Sequence, residues 1–209
     1  MIKNALKQNI IIGTTRFTNL TWKQNKQWKK KRNHIGSLYG FSIEMPTSIN
    51  YKDYVFIIDM NNDKNCIEGI GLIQNVCDDN NRTRIYDDKN YNRFVFKSKY
   101  YIEKEKIKDQ KILLFLEKIL FTTQKHMKRG LGVTVLRYDR ILTFNSDINK
   151  PKLDKKYVKS IHRLYCPYCL QKKKKNGLSH ICPKLKKNYN DLNMILNFFK
   201  NLLNFFKLQ

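Results

Sequence analysis

The sequence predicts an α+β protein, a small mixed β-barrel with flanking helices followed by a separate Cys/His module and one amphipathic helix. Three observations predict it. Short apolar or alternating runs recur between residues 9 and 102, separated by turn-forming segments. Only two helical patterns interrupt them. Beyond Lys150 the composition shifts to lysine, cysteine and histidine, and one terminal run carries apolar residues at three- and four-residue steps. The expected organisation is a barrel domain with a basic N-terminal helix over 1–150, a basic linker and Cys/His knuckle over 151–189, and an amphipathic helix over 190–209.

The elements follow in chain order. Asn9–Gly13, with three consecutive isoleucines, predicts a short strand. Thr21-Trp22-Lys23-Gln24 fits a capping box, Thr followed three residues later by Gln, and predicts a basic helix from Thr21 to about Arg32. Gly36 and Gly40 bracket a turn-rich segment that leads into an extended Phe41–Met45. Asp53–Asp59 reads as a buried strand and Asn61–Lys64 as a turn. Cys66–Asn75 alternates, with Ile67, Gly69, Gly71 and Ile73 on one face, and two glycines on one face mark a bend or the close approach of another backbone. Asp78–Arg82 reads as a turn and Arg93–Ile102 as a third strand. Asp109 caps a helix over Lys111–Gln124, Val133–Phe144 is β-like, and Pro151–Lys159 is a basic linker. Leu192, Ile195, Leu196, Phe199, Leu202, Leu203 and Phe206 form the terminal stripe, with Asn190 or Asp191 as N-cap. Such a stripe docks on its own domain or meets a protein partner or a membrane surface.

Charge narrows the partner class. The chain of 209 residues carries 42 Lys and Arg against 17 Asp and Glu, a formal net charge of +25. By segment the excess is +8 over 1–50, −2 over 51–96, +7 over 97–150 and +12 over 151–209. A neutral middle between cationic ends points to nucleic acid ahead of an anionic membrane surface. Coding bias toward Lys and Asn is the bland alternative. The hydrophobic fraction of 41% excludes a disordered tail. Five cysteines, with no secretory leader in Met1–Ile12, point to a reducing intracellular compartment and to a protein that is not secreted. No stretch reaches the ~18–20 apolar residues of a membrane span.

Three constellations carry chemistry. Cys166-Pro167-Tyr168-Cys169, followed by His180-Ile181-Cys182, offers four tetrahedral ligands for a structural zinc: Cys166, Cys169, His180 and Cys182. His162 is a substitute ligand. Lys172–Lys175 would balance the negative charge of three thiolates. The second constellation is His126-Met127-Lys128-Arg129-Gly130-Leu131-Gly132, in which His126, Lys128 and Arg129 with Gly130 and Gly132 can present cations and backbone N–H groups to a phosphate. An ordinary helix C-terminus explains the same residues. The third interleaves aromatics with cations, because bases stack on rings while Lys and Arg follow the backbone. Trp28, Lys29, Lys30, Arg32, Tyr91 and Arg93 are its candidates. Catalysis finds little support. A nuclease trio of Asp59, Asp63 and Glu68 matches no recognised spacing.

The stretch "DYVFIIDMNNDKNCIEGIGLIQN" over 53–75 resembles the PUA-like superfamily, including its EVE and ASCH branches, in which a strand of this type precedes one carrying Gly-hydrophobic-Gly. "GTTRFT", "YNRFVFKSKYYI" and "KRGLGVT" extend a likeness to uncharacterised proteins of large nucleocytoplasmic DNA viruses, mimivirus relatives among them, over about 10–144. The resemblance implies a small barrel that binds RNA or modified bases in DNA. It does not cover the Cys/His module, and no aromatic cage residue is carried over. The function expected is non-catalytic nucleic-acid binding with a structural zinc site. The alternatives are a virion protein that neutralises packaged genome or contacts capsid partners, and a metal-dependent nuclease or base-processing enzyme.

Overall fold

The computed structural model describes residues 10–78, 83–122, 126–143 and 186–207. The chain divides into two compact units, Met1–Leu136 together with Asn197–Gln209, and Arg137–Leu196. In the first unit the isoleucine run opens β1 (Ile11–Phe17), which leads into α1 (Asn19–Lys31) and β2 (Ser37–Phe41). The apolar run after Asp53 forms β3 (Tyr54–Asn61), and a turn at 62–65 returns the chain as β4 (Cys66–Gln74). β5 (Phe94–Ser98), β6 (Tyr100–Glu103), α2 (Gln110–Glu117) and β7 (Thr134–Val135) complete the body. The main sheet has the order β6-β4-β3-β1-β7, and β2 pairs with β5 in a separate two-stranded sheet. β1 and β3 run parallel, and the other pairs are antiparallel.

Side-chain alternation divides the main sheet into two buried faces. One carries Val55, Ile57 and Ile73, and packs with Leu38, Tyr39, Phe41, Val95 and Phe96 of the small sheet and with Phe17 and Trp22. The opposite face packs against helix. Phe56 meets the rings of Phe199 and Phe206 at 4.9 and 6.4 Å, and Tyr100 meets Phe206 at 5.7 Å. These phenylalanines belong to α4 (Lys186–Lys207), whose residues Phe199, Leu202, Leu203 and Phe206 are all buried, as their spacing predicts. α2 is pinned to β4 because Glu117 Oε1 accepts from Ile67 N at 2.9 Å and from Lys104 Nζ at 2.8 Å.

Several expectations need correction. The fold is α+β, but the described strands form no closed barrel: β6 and β7 are the two outer strands of an open sheet. The helix begins earlier than Thr21, because Thr18 is the N-cap and Thr21 is the reciprocal partner in its capping box. Thr21 thus occupies the N3 place, and either Thr could have filled the cap by type alone. The extended segment before β3 is Ser37–Phe41, not Phe41–Met45. Arg93–Ile102 is two strands in two sheets, with the chain changing layers at Lys99. Val133–Phe144 is mostly not β. Only Thr134–Val135 pairs, and Tyr138–Thr143 forms α3 in the second unit. In that unit the terminal helix begins at Lys186, ahead of the expected Asn190 or Asp191 cap. The Asp109 cap does form, with Oδ1 accepting from Ile112 N at 3.2 Å, and the helix continues as a π-helical turn over Lys118–Thr122. No described helix is long and apolar enough to cross a membrane.

A register shift between Asp59 and Met60 explains one departure from strict alternation in β4. Ile67 pairs with Met60 and Gly69 pairs with Asp59, so Glu68 is an extra residue. Ile67 therefore leaves the Gly69–Gly71 face on which simple alternation puts it.

Candidate nucleic-acid interface

The parallel pair β1–β3 ends at one place, where Asn62 N donates to the Phe17 carbonyl at 2.9 Å. Ligands of sheets with parallel strands commonly bind outside the carboxyl ends of those strands. Here that position is a cleft of about 230 Å3. Its aromatic lining is Phe17, Phe41, Tyr86 and Tyr91, and its polar lining includes Arg16, Thr18, Thr21 and Asn62. Phe17 is held edge-on by Trp22 at 4.9 Å, and Tyr86 stands edge-on to Tyr91 at 6.2 Å. Gly40 keeps the wall thin, since a Cβ there would collide with the Tyr91 carbonyl and touch the Tyr86 ring at 3.0 Å. Tyr91 and Leu131 are 36% and 52% exposed, whereas Phe17, Phe41 and Tyr86 are buried, so the apolar surface open to a planar ligand belongs mainly to the first two.

The loop at 126–132 borders this cleft and is tied down. The Lys128 carbonyl accepts from Asn62 Nδ2 at 2.9 Å and from Arg16 Nη1 at 3.5 Å, and Lys128 Nζ reaches Asn65 Oδ1 at 2.6 Å. Met127, buried, anchors the loop through its N–H on the Leu120 carbonyl at 2.8 Å. Arg129 is exposed. Gly132 lines the cleft at φ +56°, a left-handed conformation that favours glycine. Gly130 N donates to the Met127 carbonyl at 3.4 Å, as at an ordinary turn. His126 is half-buried, and its Nδ1 has no hydrogen-bond partner among the described residues.

The remaining candidates divide between two places. Tyr91 is at the cleft, and the neighbouring Arg93 is exposed with its guanidinium 5.8 Å from the Phe94 ring. Trp28, Lys29, Lys30 and Arg32 lie at the other end of α1. Trp28 is half-buried between cations, with Lys97 Nζ 5.4 Å and the Arg32 guanidinium 5.9 Å from its ring. Lys30 and Arg32 are exposed. Lys29 is instead drawn inward, with Nζ 4.0 Å from the Tyr101 ring centre, and burial lowers its pKa.

Beneath Lys29 is a polar cluster that spacing alone does not reveal. Asp59, 1% exposed, accepts from the Tyr101 hydroxyl at 3.1 Å and lies close enough to the Tyr39 hydroxyl for each to influence the other, although that contact misses good hydrogen-bond geometry. Burial pushes the Asp59 carboxyl up to about 7, against the opposing pull of Lys29. Burial and the nearby carboxylate raise the Tyr39 and Tyr101 hydroxyls well above the ordinary tyrosine range. The carboxylates of the nuclease trio are otherwise engaged. Asp59 is enclosed, Asp63 Oδ2 accepts from Asn19 N at 2.7 Å, and Glu68 Oε1 accepts from Asn61 Nδ2 at 2.7 Å and Lys64 Nζ at 3.1 Å. Among the described residues no group of three or more His, Cys, Asp or Glu is placed to hold a metal ion. Cys166, Cys169, His162, His180 and Cys182 lie outside the described residues.

Residue type and spacing mark Tyr91, Lys128 and Gly132, which meet at this cleft, but not Arg16, Phe17, Thr18, Phe41, Asn62 and Tyr86, which also form it. The available signal was "TTRFT" at the end of β1, where a cation, an aromatic and hydroxyls alternate just before a helix cap. Comparison with family profiles, with curated proteins and with solved structures finds no match for this chain.

Proposed function

We propose that the protein binds nucleic acid without catalysing a reaction on it, seating one base in the aromatic cleft and holding the adjoining phosphates with Arg16, Lys128 and Arg129. The observation that carries the reading is the cleft itself. Exposed Tyr91 and Leu131 offer apolar surface for a base above the buried rings of Phe17, Phe41 and Tyr86, while Thr18, Thr21 and Asn62 Oδ1, which has no hydrogen-bond partner among the described residues, offer polar groups for its edge. A base stacked on an aromatic ring contributes about 1–3 kcal/mol. The net charge of +25 supplies the long-range attraction. The resemblance to PUA-like proteins, which bind RNA or modified bases in DNA, supports the same reading. Titration of labelled RNA and DNA oligonucleotides, with and without base modification, tests it. Tyr91→Ala should weaken binding about 10-fold, the equivalent of 1.4 kcal/mol. Unchanged affinity in Tyr91→Ala, or no binding by the parent protein, would defeat it.

A further inference from the structure

α1 carries Lys23, Lys26, Lys29, Lys30 and Lys31, with Arg32 at its C-cap and no acidic residue anywhere along it. Lys23, Lys26 and Lys30 are exposed at three- and four-residue steps, so they share one face of the helix, and Lys31 is exposed next to Lys30. None of the ion pairs between described residues involves α1. Like charges at these spacings repel and weaken a helix, as in Lys23–Lys26 and Lys26–Lys30. The helix dipole accounts for cations in the last turn but not for Lys23 or Lys26. The helix keeps its place through its other face, where Trp22 and Asn25 are buried and Asn25 Nδ2 donates to the Leu38 carbonyl at 2.9 Å and the Tyr86 hydroxyl at 3.1 Å. Lys26 lies 5.9 Å from the Trp22 ring, beside a cleft that Glu68, Glu103 and Glu105 also line, whereas Lys23 and Lys30 have no such neighbours among the described residues and are surplus to folding.

Its position is informative. Thr18 and Thr21, at the first turn of α1, line the aromatic cleft, and Arg16 stands beside them. From Thr21 to Lys31 the helix rises about 15 Å at roughly 1.5 Å per residue. We propose that the exposed face of α1 is a phosphate track that continues from the cleft, so that the protein engages a single strand of about five or six nucleotides, one base in the cleft and the following phosphates along Lys23, Lys26 and Lys30. This inference rests on the reading of the cleft as a base site. The length follows from about 3.4 Å per stacked nucleotide over that rise. RNA and DNA share the phosphate chemistry that the lysines recognise.

The test uses a dinucleotide and an octanucleotide, each as ribo- and deoxyribo-oligomer, titrated at low and physiological salt. The parent protein should bind the octamer at least about 10-fold more tightly than the dimer. Lys23→Gln with Lys30→Gln should flatten the octamer's log–log salt slope by about 1.4, at about 0.7 per lost single-strand phosphate contact, and leave dimer affinity within about two-fold. Both positions are exposed, and Gln is nearly as good a helix former as Lys, so the fold should be retained. The control is Lys108→Gln with Lys111→Gln, an equal charge change at exposed positions around the start of α2. Equal effects of the two double variants on the octamer would overturn the track while leaving the cleft reading intact. Dimer binding that is indifferent to Tyr91→Ala would overturn the cleft reading instead.

Discussion

The Tyr101 hydroxyl reaches Asp59 Oδ2 at 3.1 Å across β4, past Gly69, where a side chain would block it. Asp59 pairs with Gly69 and Tyr101 pairs with Gly71, so β4 lies between the two residues. A Cβ at Gly69 would collide with the Tyr101 hydroxyl, and one at Gly71 would collide with the Tyr39 hydroxyl and approach Ser37 Cβ to 2.7 Å. The glycines make room for phenols, and the phenols enclose a carboxyl group. Ser37 Oγ, Tyr39 Oη and Asp59 Oδ1 are buried without hydrogen-bond partners among the described residues. Such a cluster is costly to ionise.

The first prediction is a pH dependence. Burial raises the folded-state pKa of Asp59 to about 7, so the folded protein keeps a proton that the unfolded chain releases near pH 4. The folded state then binds more protons through this window, and stability falls as pH rises from about 4 to about 7 and levels off above. Asp59→Asn mimics the protonated carboxyl and should remove most of this slope. Urea midpoints at pH 5 and pH 8 should differ more for the parent than for the variant. Parallel profiles would show that Asp59 titrates normally.

The glycine contacts predict a compensating pair. Gly71→Ala should destabilise the protein by about 1–3 kcal/mol, since Tyr39 is buried and its ring lies parallel to Phe41 at 6.0 Å. Tyr39→Phe removes the obstructing hydroxyl, so the double variant should recover part of the loss. Simple additivity in denaturant unfolding would show that the clash is relieved elsewhere.

The loop beside the cleft should outweigh an equal charge change at a distance. Lys128 is held by Asn65 and by the carbonyl contacts to Asn62 and Arg16, so its ammonium loses less freedom on binding than an untethered one. Lys128→Gln with Arg129→Gln should weaken oligonucleotide binding more than Lys108→Gln with Lys111→Gln. Equal losses would mean that only total charge matters.

The Cys/His module predicts a metal content. Purified protein should contain about one zinc per chain, and Cys166→Ser should lower it, because four ligands close a structural site and three do not. Metal-free protein whose C-terminal segment still resists proteolysis would count against the knuckle.

Local pattern is enough to specify part of this fold. Buried runs made Tyr54–Asn61 and Cys66–Gln74 strands, Asp109 capped its helix, and three- and four-residue steps marked Phe199, Leu202, Leu203 and Phe206 for burial. Charge counting alone showed which segments are cationic. Tertiary structure decided which residues meet. The change of sheet at Lys99 leaves little local trace, because β5 and β6 are both short and β-like, and only the layer each joins separates them. Tyr91 and Gly132 are 41 positions apart, and they share a cleft because the β1–β3 parallel pairing ends there. Gly69 and Gly71 signalled close approach, but what approaches is set by β2 and β6, whose Tyr39 and Tyr101 turn a lone Asp59 into a buried polar centre. Periodicity reports which face of an element is apolar. It carries no information about the long-range partner, and at this interface the partner decides the chemistry.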